Sequence, residues 1–176
     1  MFSTDELSSL RWDPVAGAAE IIDQTLLPHT LRWCHLESLD DYCHAISAMQ
    51  VRGAPLIGIT AAFGLAHAIG KDASNAGIKA ASERLLATRP TAVNLRWALQ
   101  QVGDAVAGLA EGERAAAAHD MAVALRGEDI ANCERIGANG FELLRPLHTG
   151  DTLNFMTHCN AGWLATIQWG TALSPI

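Results

Sequence analysis

Apolar residues recur along most of this chain with the period of a helix, and they lose that period near both ends. After Ser38, residues Leu39, Tyr42, Cys43, Ile46 and Met49 share one face, and Asp41 three positions beyond Ser38 resembles a capping box. The spacing predicts a helix that stops near Gln50. Pro55 then opens another, since a proline at the first helical position gives up no needed hydrogen bond. The segment LIGITAAFGLAHAI after it is apolar on every side, so this helix is expected inside the protein. Gly58 and Gly64 would let neighbouring helices approach it closely. A more polar helix is expected over residues 72–87. The next starts at Arg89-Pro90, with Leu95, Leu99, Val102, Val106 and Leu109 as its apolar stripe. From Glu113 to Leu144 a long helical pattern follows, with a weak point at Arg126-Gly127, and Pro146 and Gly150 punctuate its end.

The flanks read differently. Residues 20–27 and 30–37 are rich in β-branched and aromatic side chains and are divided by Pro28-His29, which predicts a small hairpin. Residues 152–157 look like a strand, 158–162 like a loop and 163–173 like a helix. That is one βα unit, the opening of a parallel sheet. The fold class is therefore α/β: a mainly helical N-terminal domain with a hairpin over residues 1–146, its stretch 126–146 a linking helix, then the start of a Rossmann-like domain over 147–176.

Composition narrows the function. With 49% hydrophobic and 18% charged residues in 176, the chain can bury a core and gives no case for disorder. A net charge of -7 leaves no basic stripe for nucleic acid, so an anionic ligand must be held by a few placed arginines and backbone amides. The start MFSTDELSSLRWD has no basic region followed by an apolar run, and the apolar stretch 55–69 contains His67, so neither a secretory signal nor a membrane span is expected. Cys34, Cys43, Cys133 and Cys159 show no CxxC spacing, and the seven histidines are scattered. Reduced thiols, a cytoplasmic location, no metal and no cofactor are the expectations.

Two arginines stand where anions bind. A helix beginning at Pro55 leaves free amides at its first turn, Gly53 lets a ligand approach the backbone, and Arg52 can form two parallel hydrogen bonds to a phosphate. A tight turn whose arginine pairs with a nearby carboxylate fits the same residues. Arg89-Pro90 repeats the pattern, and a capping turn with a solvated arginine is the plainer account of it taken alone. Cys159 falls between the expected strand and helix, at the carboxyl end of a strand where open α/β sheets bind ligands and where a helix terminus favours a thiolate. A small buried hydrophobe is the plainer account of it.

The runs Val51-Arg52-Gly53-Ala54-Pro55-Leu56-Ile57-Gly58, Arg89-Pro90-Thr91-Ala92-Val93-Asn94-Leu95 and Thr157-His158-Cys159-Asn160-Ala161-Gly162 together resemble the signatures of the methylthioribose-1-phosphate isomerase family. Asp23-Gln24-Thr25-Leu26-Leu27-Pro28, Asn132 with Ile136-Gly137 and Gly140, and Gly170-Thr171-Ala172-Leu173 fit the same family, so the likeness runs from about residue 12 to 173. Ribose-1,5-bisphosphate isomerases and subunits of translation initiation factor 2B share its fold. The resemblance implies that Arg52, Gly53, Ala54 and Arg89 bind substrate and that Cys159 is catalytic. It implies an aldose–ketose isomerisation of 5-methylthioribose 1-phosphate to 5-methylthioribulose 1-phosphate in methionine salvage. The partner is then a small-molecule sugar phosphate, and the full-length family suggests a homodimer. A non-catalytic regulatory protein of the initiation-factor type and a ribose-1,5-bisphosphate isomerase are the alternatives. The family continues past Ser174-Pro175-Ile176 into residues that supply an aspartate acid, so this chain alone is expected to be inactive.

Overall fold

The computed structural model describes residues 8–147, 150 and 152–176. The reading of the N-terminal leader therefore falls largely on residues 1–7, outside the described ones, as do residues 148, 149 and 151 at the expected domain boundary.

Helix α2 (Ala54–Lys71) is the axis of the molecule, and two thirds of it is buried. Length and composition alone would let it cross a membrane, but here helices α1 (Leu39–Ser47), α3 (Asn75–Thr88), α4 (Val93–Val106) and α5 (Glu111–Leu144) pack around it. A helix that is apolar all round needs such a jacket. Gly58 and Gly64 do make the crossings tight. A Cβ on Gly58 would lie 2.9 Å from the Asn94 carbonyl oxygen of α4, and one on Gly64 would lie 2.9 Å from the Tyr42 Cβ of α1.

Ser38 caps α1 as its sequence suggests: its hydroxyl accepts from the Asp41 amide, and the Asp41 carboxylate accepts from the Ser38 hydroxyl at 2.7 Å. The stripe Leu95, Leu99, Val102 and Val106 faces the core. Helix α4 starts at Val93, however, and not at Pro90. Arg89 closes α3 as its C-cap, and Pro90 lies in the intervening turn. Nor does α5 weaken at Arg126-Gly127. It runs unbroken for 34 residues, about 51 Å at 1.5 Å per residue. Arg126 strengthens the place by donating from Nε to the Leu10 carbonyl at 3.2 Å and from a terminal nitrogen to the Ser8 hydroxyl at 3.1 Å.

The expected hairpin is a three-stranded antiparallel sheet: β1 (Leu10–Asp13), β2 (Ala18–Ile22) and β3 (Trp33–Leu36), in that order. Sequence reading missed β1 because it is only four residues long and half of it is charged. Leu10, Ala19, Ile21 and Leu36 enter the core. Arg11, Glu20 and His35 stand in one cross-strand row, with Glu20 accepting from Arg11 at 2.5 Å and facing His35 Nε2 at 2.9 Å.

The C-terminal segment departs furthest from expectation. Residues 152–158 form no strand, and among the described residues no other strand lies beside them. The expected helix over 163–173 is a single 3-10 turn, Trp163–Ala165. Its continuation is buried and bonded to distant parts of the chain: the Ile167 amide donates to Asp129 at 2.8 Å, and the Ile167 carbonyl accepts from the Ser9 amide at 2.9 Å. A helix would have used both groups internally. The α/β class holds, while among the described residues there is no parallel strand and no crossover helix.

Candidate functional site

The turn between α1 and α2 carries Arg52. Val51 is buried and its amide bonds the Ala45 carbonyl, while Arg52 is exposed and, among the described residues, makes no hydrogen bond or ion pair. This disposes of the carboxylate-paired turn as an explanation for the arginine. Gly53 follows as the N-cap of α2 with φ 109, a left-handed conformation that favours glycine. No side chain caps α2 there, so the first amides of the helix, with the positive end of its dipole behind them, stay unsatisfied by side chains. The close approach that Gly53 permits is filled by the protein itself. A Cβ at Gly53 would sit 2.4 Å from the Ala165 backbone, so the glycine admits the C-terminal segment at that point.

That contact brings two distant loops together. A cleft of about 300 Å³ is lined by Arg52 on one side and by Cys159, Asn160 and Ala161 on the other, with Leu164, Ala165 and Gln24 as its floor. Cys159 is exposed and its φ is 68. The helix whose terminus was to activate it is the short turn at 163–165, so that support is lacking in this form. Arg89 lies outside this lining, half-buried at the end of α3. Gly53 and Ala54 stand directly behind Arg52 but do not line the cleft themselves.

Asp23 and Gln24 join the two walls, a role that reading them as part of a strand concealed. Asp23 is 1% exposed. Its Oδ2 accepts from Gln50 Nε2 and from Arg32, both at 2.9 Å, and its Oδ1 accepts from the Thr25 hydroxyl at 2.6 Å. Burial pushes this carboxyl upward, but the bonds from Thr25, Arg32 and Gln50 outweigh it and hold the group below its ordinary value. The Gln24 amide donates to the Gln50 carbonyl at 2.9 Å, and its side-chain Nε2 donates to the Leu164 carbonyl at 2.7 Å. One dipeptide thus holds the strand end, the Arg52 turn and the cysteine wall. The signal available in sequence was a pair of polar residues interrupting the apolar run EIIDQTLL.

Other clefts lie elsewhere, among them two against α2. One of about 180 Å³ lies between α2, α4 and α5, with Asn94, Trp97 and Asp129 among its lining residues. Burial raises the Asp129 carboxyl above its ordinary value, partly offset by the Ile167 amide. Another, of about 240 Å³, sits at the far end of α2, where His67, Lys71 and His119 meet the stacked rings of Trp12 and Phe63. Among the described residues no group of three or more metal-ligating side chains occurs.

In sequence and in fold the chain resembles known proteins. A sequence profile described as the initiation factor 2 subunit family matches residues 50–174. The chain belongs to this family. It is 52% identical over 170 residues to the methylthioribose-1-phosphate isomerase of Dechloromonas aromatica, covering 96% of this chain and 47% of that protein. To the enzyme of the same name from Escherichia coli O45:K1 it is 47% identical over 163 residues, covering 90% of this chain and 44% of the other. Among solved structures, 5-methylthioribose 1-phosphate isomerase from Pyrococcus horikoshii superposes with a TM-score of 0.82 at 32% identity, covering 98% of this chain and 50% of that one. The delta subunit of translation initiation factor eIF-2B from A. fulgidus gives 0.80 at 35% identity, covering 95% and 49%. The chain spans about half the length of the curated relatives it matches.

Proposed function

We propose that this chain contributes the phosphate-gripping half of an S-methyl-5-thioribose-1-phosphate isomerase, which converts 5-methylthioribose 1-phosphate to 5-methylthioribulose 1-phosphate in methionine salvage. The observation that carries the reading is the single cleft onto which unpaired Arg52 and exposed Cys159 both open. Arg52 holds the phosphate through paired charge-assisted hydrogen bonds, and the uncapped amides behind it at Ala54 and Leu56 add to the positive potential. The phosphate blocks spontaneous opening of the sugar ring, so a general acid must protonate the ring oxygen first. Cys159 then assists the hydrogen transfer between C2 and C1 that turns the aldose into the ketose, without nicotinamide or metal. Arg89, outside the cleft here, is assigned to the same substrate through its place in the family signature.

In this reading residues 1–146 form the helical domain, with 126–146 as the link, and 147–176 open a Rossmann-like catalytic domain. The protein works in the cytoplasm as a homodimer on a small sugar phosphate. Isothermal titration tests the core of it. The unsubstituted chain is expected to bind 5-methylthioribose 1-phosphate, and Arg52→Ala to weaken that binding at least about tenfold, the scale of a lost charge-assisted hydrogen bond. Equal affinity in the variant would overturn the reading. Because an initiation-factor subunit superposes almost as well, nucleotides belong in the same titration. A preference for them over the sugar phosphate would favour a regulatory ligand-binding protein instead.

A further inference from the structure

Gln24 is 3% exposed, and the structure fixes which way its amide faces. The Leu164 carbonyl can only accept, so it selects Nε2 at 2.7 Å. The main chain of Gln24 is committed as well, through its amide to Gln50. The other half of the side-chain amide, Oε1, takes no partner among the described residues, and Gln24 lines the cleft between Arg52 and Cys159. Buried side-chain oxygens that lack a partner are absent among the described residues, so Oε1 is not sealed in, and the cleft is a space that Gln24 lines. An acceptor in that position, oriented by a bond behind it, suits a donor on the ligand. Asp23 next to it is pinned by Thr25, Arg32 and Gln50, which keeps the backbone under Gln24 fixed.

We infer that Gln24 is a specificity residue, whose Oε1 accepts a hydrogen bond from a ring hydroxyl of the sugar phosphate held at Arg52. The inference rests on the proposed function for the identity of the ligand. It gives the cleft a division of labour. Arg52 reads the anion common to every sugar phosphate, and Gln24 reads a hydroxyl donor, which inorganic phosphate and deoxy sugars present poorly or not at all. Sites built to hydrogen-bond a hydroxyl reject the analogue that lacks it, because a buried acceptor is then left unpaired.

The test is titration of the unsubstituted chain, Gln24→Met, Gln24→Leu and Arg52→Ala with four ligands: 5-methylthioribose 1-phosphate, its 2-deoxy analogue, its 3-deoxy analogue, and inorganic phosphate. The unsubstituted chain is expected to favour the parent sugar about tenfold over one of the deoxy analogues. Gln24→Met removes that preference and changes affinity for inorganic phosphate less than about twofold. Gln24→Leu likewise removes the acceptor oxygen and loses the preference, and it carries the test if the methionine variant does not fold. Equal loss by Gln24→Met on the parent and both analogues would mean that the side chain only props the wall, and would overturn the inference. So would an unchanged preference in Gln24→Met or in Gln24→Leu. Phosphate binding that survives Arg52→Ala would sink the proposed function alone, while the hydroxyl preference still decides the role of Gln24.

Discussion

Helix α2 and the segment 163–168 are both buried, yet they are held in opposite ways. In α2 the backbone satisfies itself by helical hydrogen bonds, and burial follows from side chains that are apolar all round. In 163–168 the backbone depends on residues far away, Ser9, Gln24 and Asp129, and buried Thr166 and Gln168 are polar. The first solution is written locally, and the second exists only once the rest has folded. The cleft lies where they meet, so one wall is as firm as the core and the other hangs on a few long-range bonds.

The sharpest way to break this comparison is to damage the firm side. Leu65 in α2 is fully buried. Leu65→Ala should lower the free energy of unfolding by about 2–5 kcal/mol, the range for cavity-forming truncations. Urea denaturation measures it. A loss under about 1 kcal/mol would show that α2 is not the tight centre described here.

Gly53→Ala strikes the junction. An alanine there must hold a left-handed φ and places its Cβ 2.4 Å from the Ala165 backbone. The strain and overpacking are expected to cost about 2 kcal/mol. They should be relieved by release of 163–168, leaving α2 in place. Hydrogen exchange would then speed up at Ile167 much more than at Ala61 or Ala62. Uniform acceleration in both regions would mean that the two form a single cooperative unit.

The same contrast explains what could be read from sequence. Periodicity reports structure whose bonding partners are three or four residues away, which is why α1, α2 and the stripe of α4 were legible, along with the Ser38 cap and the close crossings at Gly58 and Gly64. Arg52 and Cys159 were picked out singly by residue type and position, but nothing local says that they share a cleft. That depends on Gly53 meeting Ala165, a contact across more than a hundred residues. Trp163 to Leu173 has the composition of a helix, and it is overruled by the bonds Ile167 makes to Ser9 and Asp129. Arg89-Pro90 shows the reverse error: the grammar of a helix start occurs at a helix end, because a residue before proline is pushed out of the helical region.

One of those long-range bonds is sensitive to pH. Burial raises the Asp129 carboxyl above its ordinary 3.8. Below 3.8 the folded and unfolded chains both carry the proton, and the group has no pH effect. As pH rises from there through the raised native value, the unfolded chain releases its proton first, so stability falls and stays lower above that window. The neighbouring Cys133 thiol, pushed up to about 11 by burial and by Asp129, stays neutral throughout. Asp129→Asn can still accept from the Ile167 amide and removes the charge. It should raise stability at pH 7 and make no difference near pH 3. Thermal melts at the two pH values decide it, and a stability loss at pH 7 would mean that the ionised carboxylate is the favoured partner of Ile167.

The smallest effect is expected just outside the staples. Met156 is 99% exposed and belongs to a stretch without regular structure, residues 152–158. Met156→Ser should change the free energy of unfolding by no more than about 0.5 kcal/mol, as surface substitutions usually do. Limited proteolysis sharpens the point, because cleavage needs local opening and an unpaired stretch opens at little cost. Cuts within 152–158 should come before any cut in α2 or α4. They should also leave 163–168 attached, since Gln24, Asp129 and Ser9 hold it without help from the chain before it. If the cleaved piece instead dissociates, the long-range bonds are too weak to form the cysteine wall of the cleft. The firm and hanging halves would then differ far more than the bonding pattern indicates.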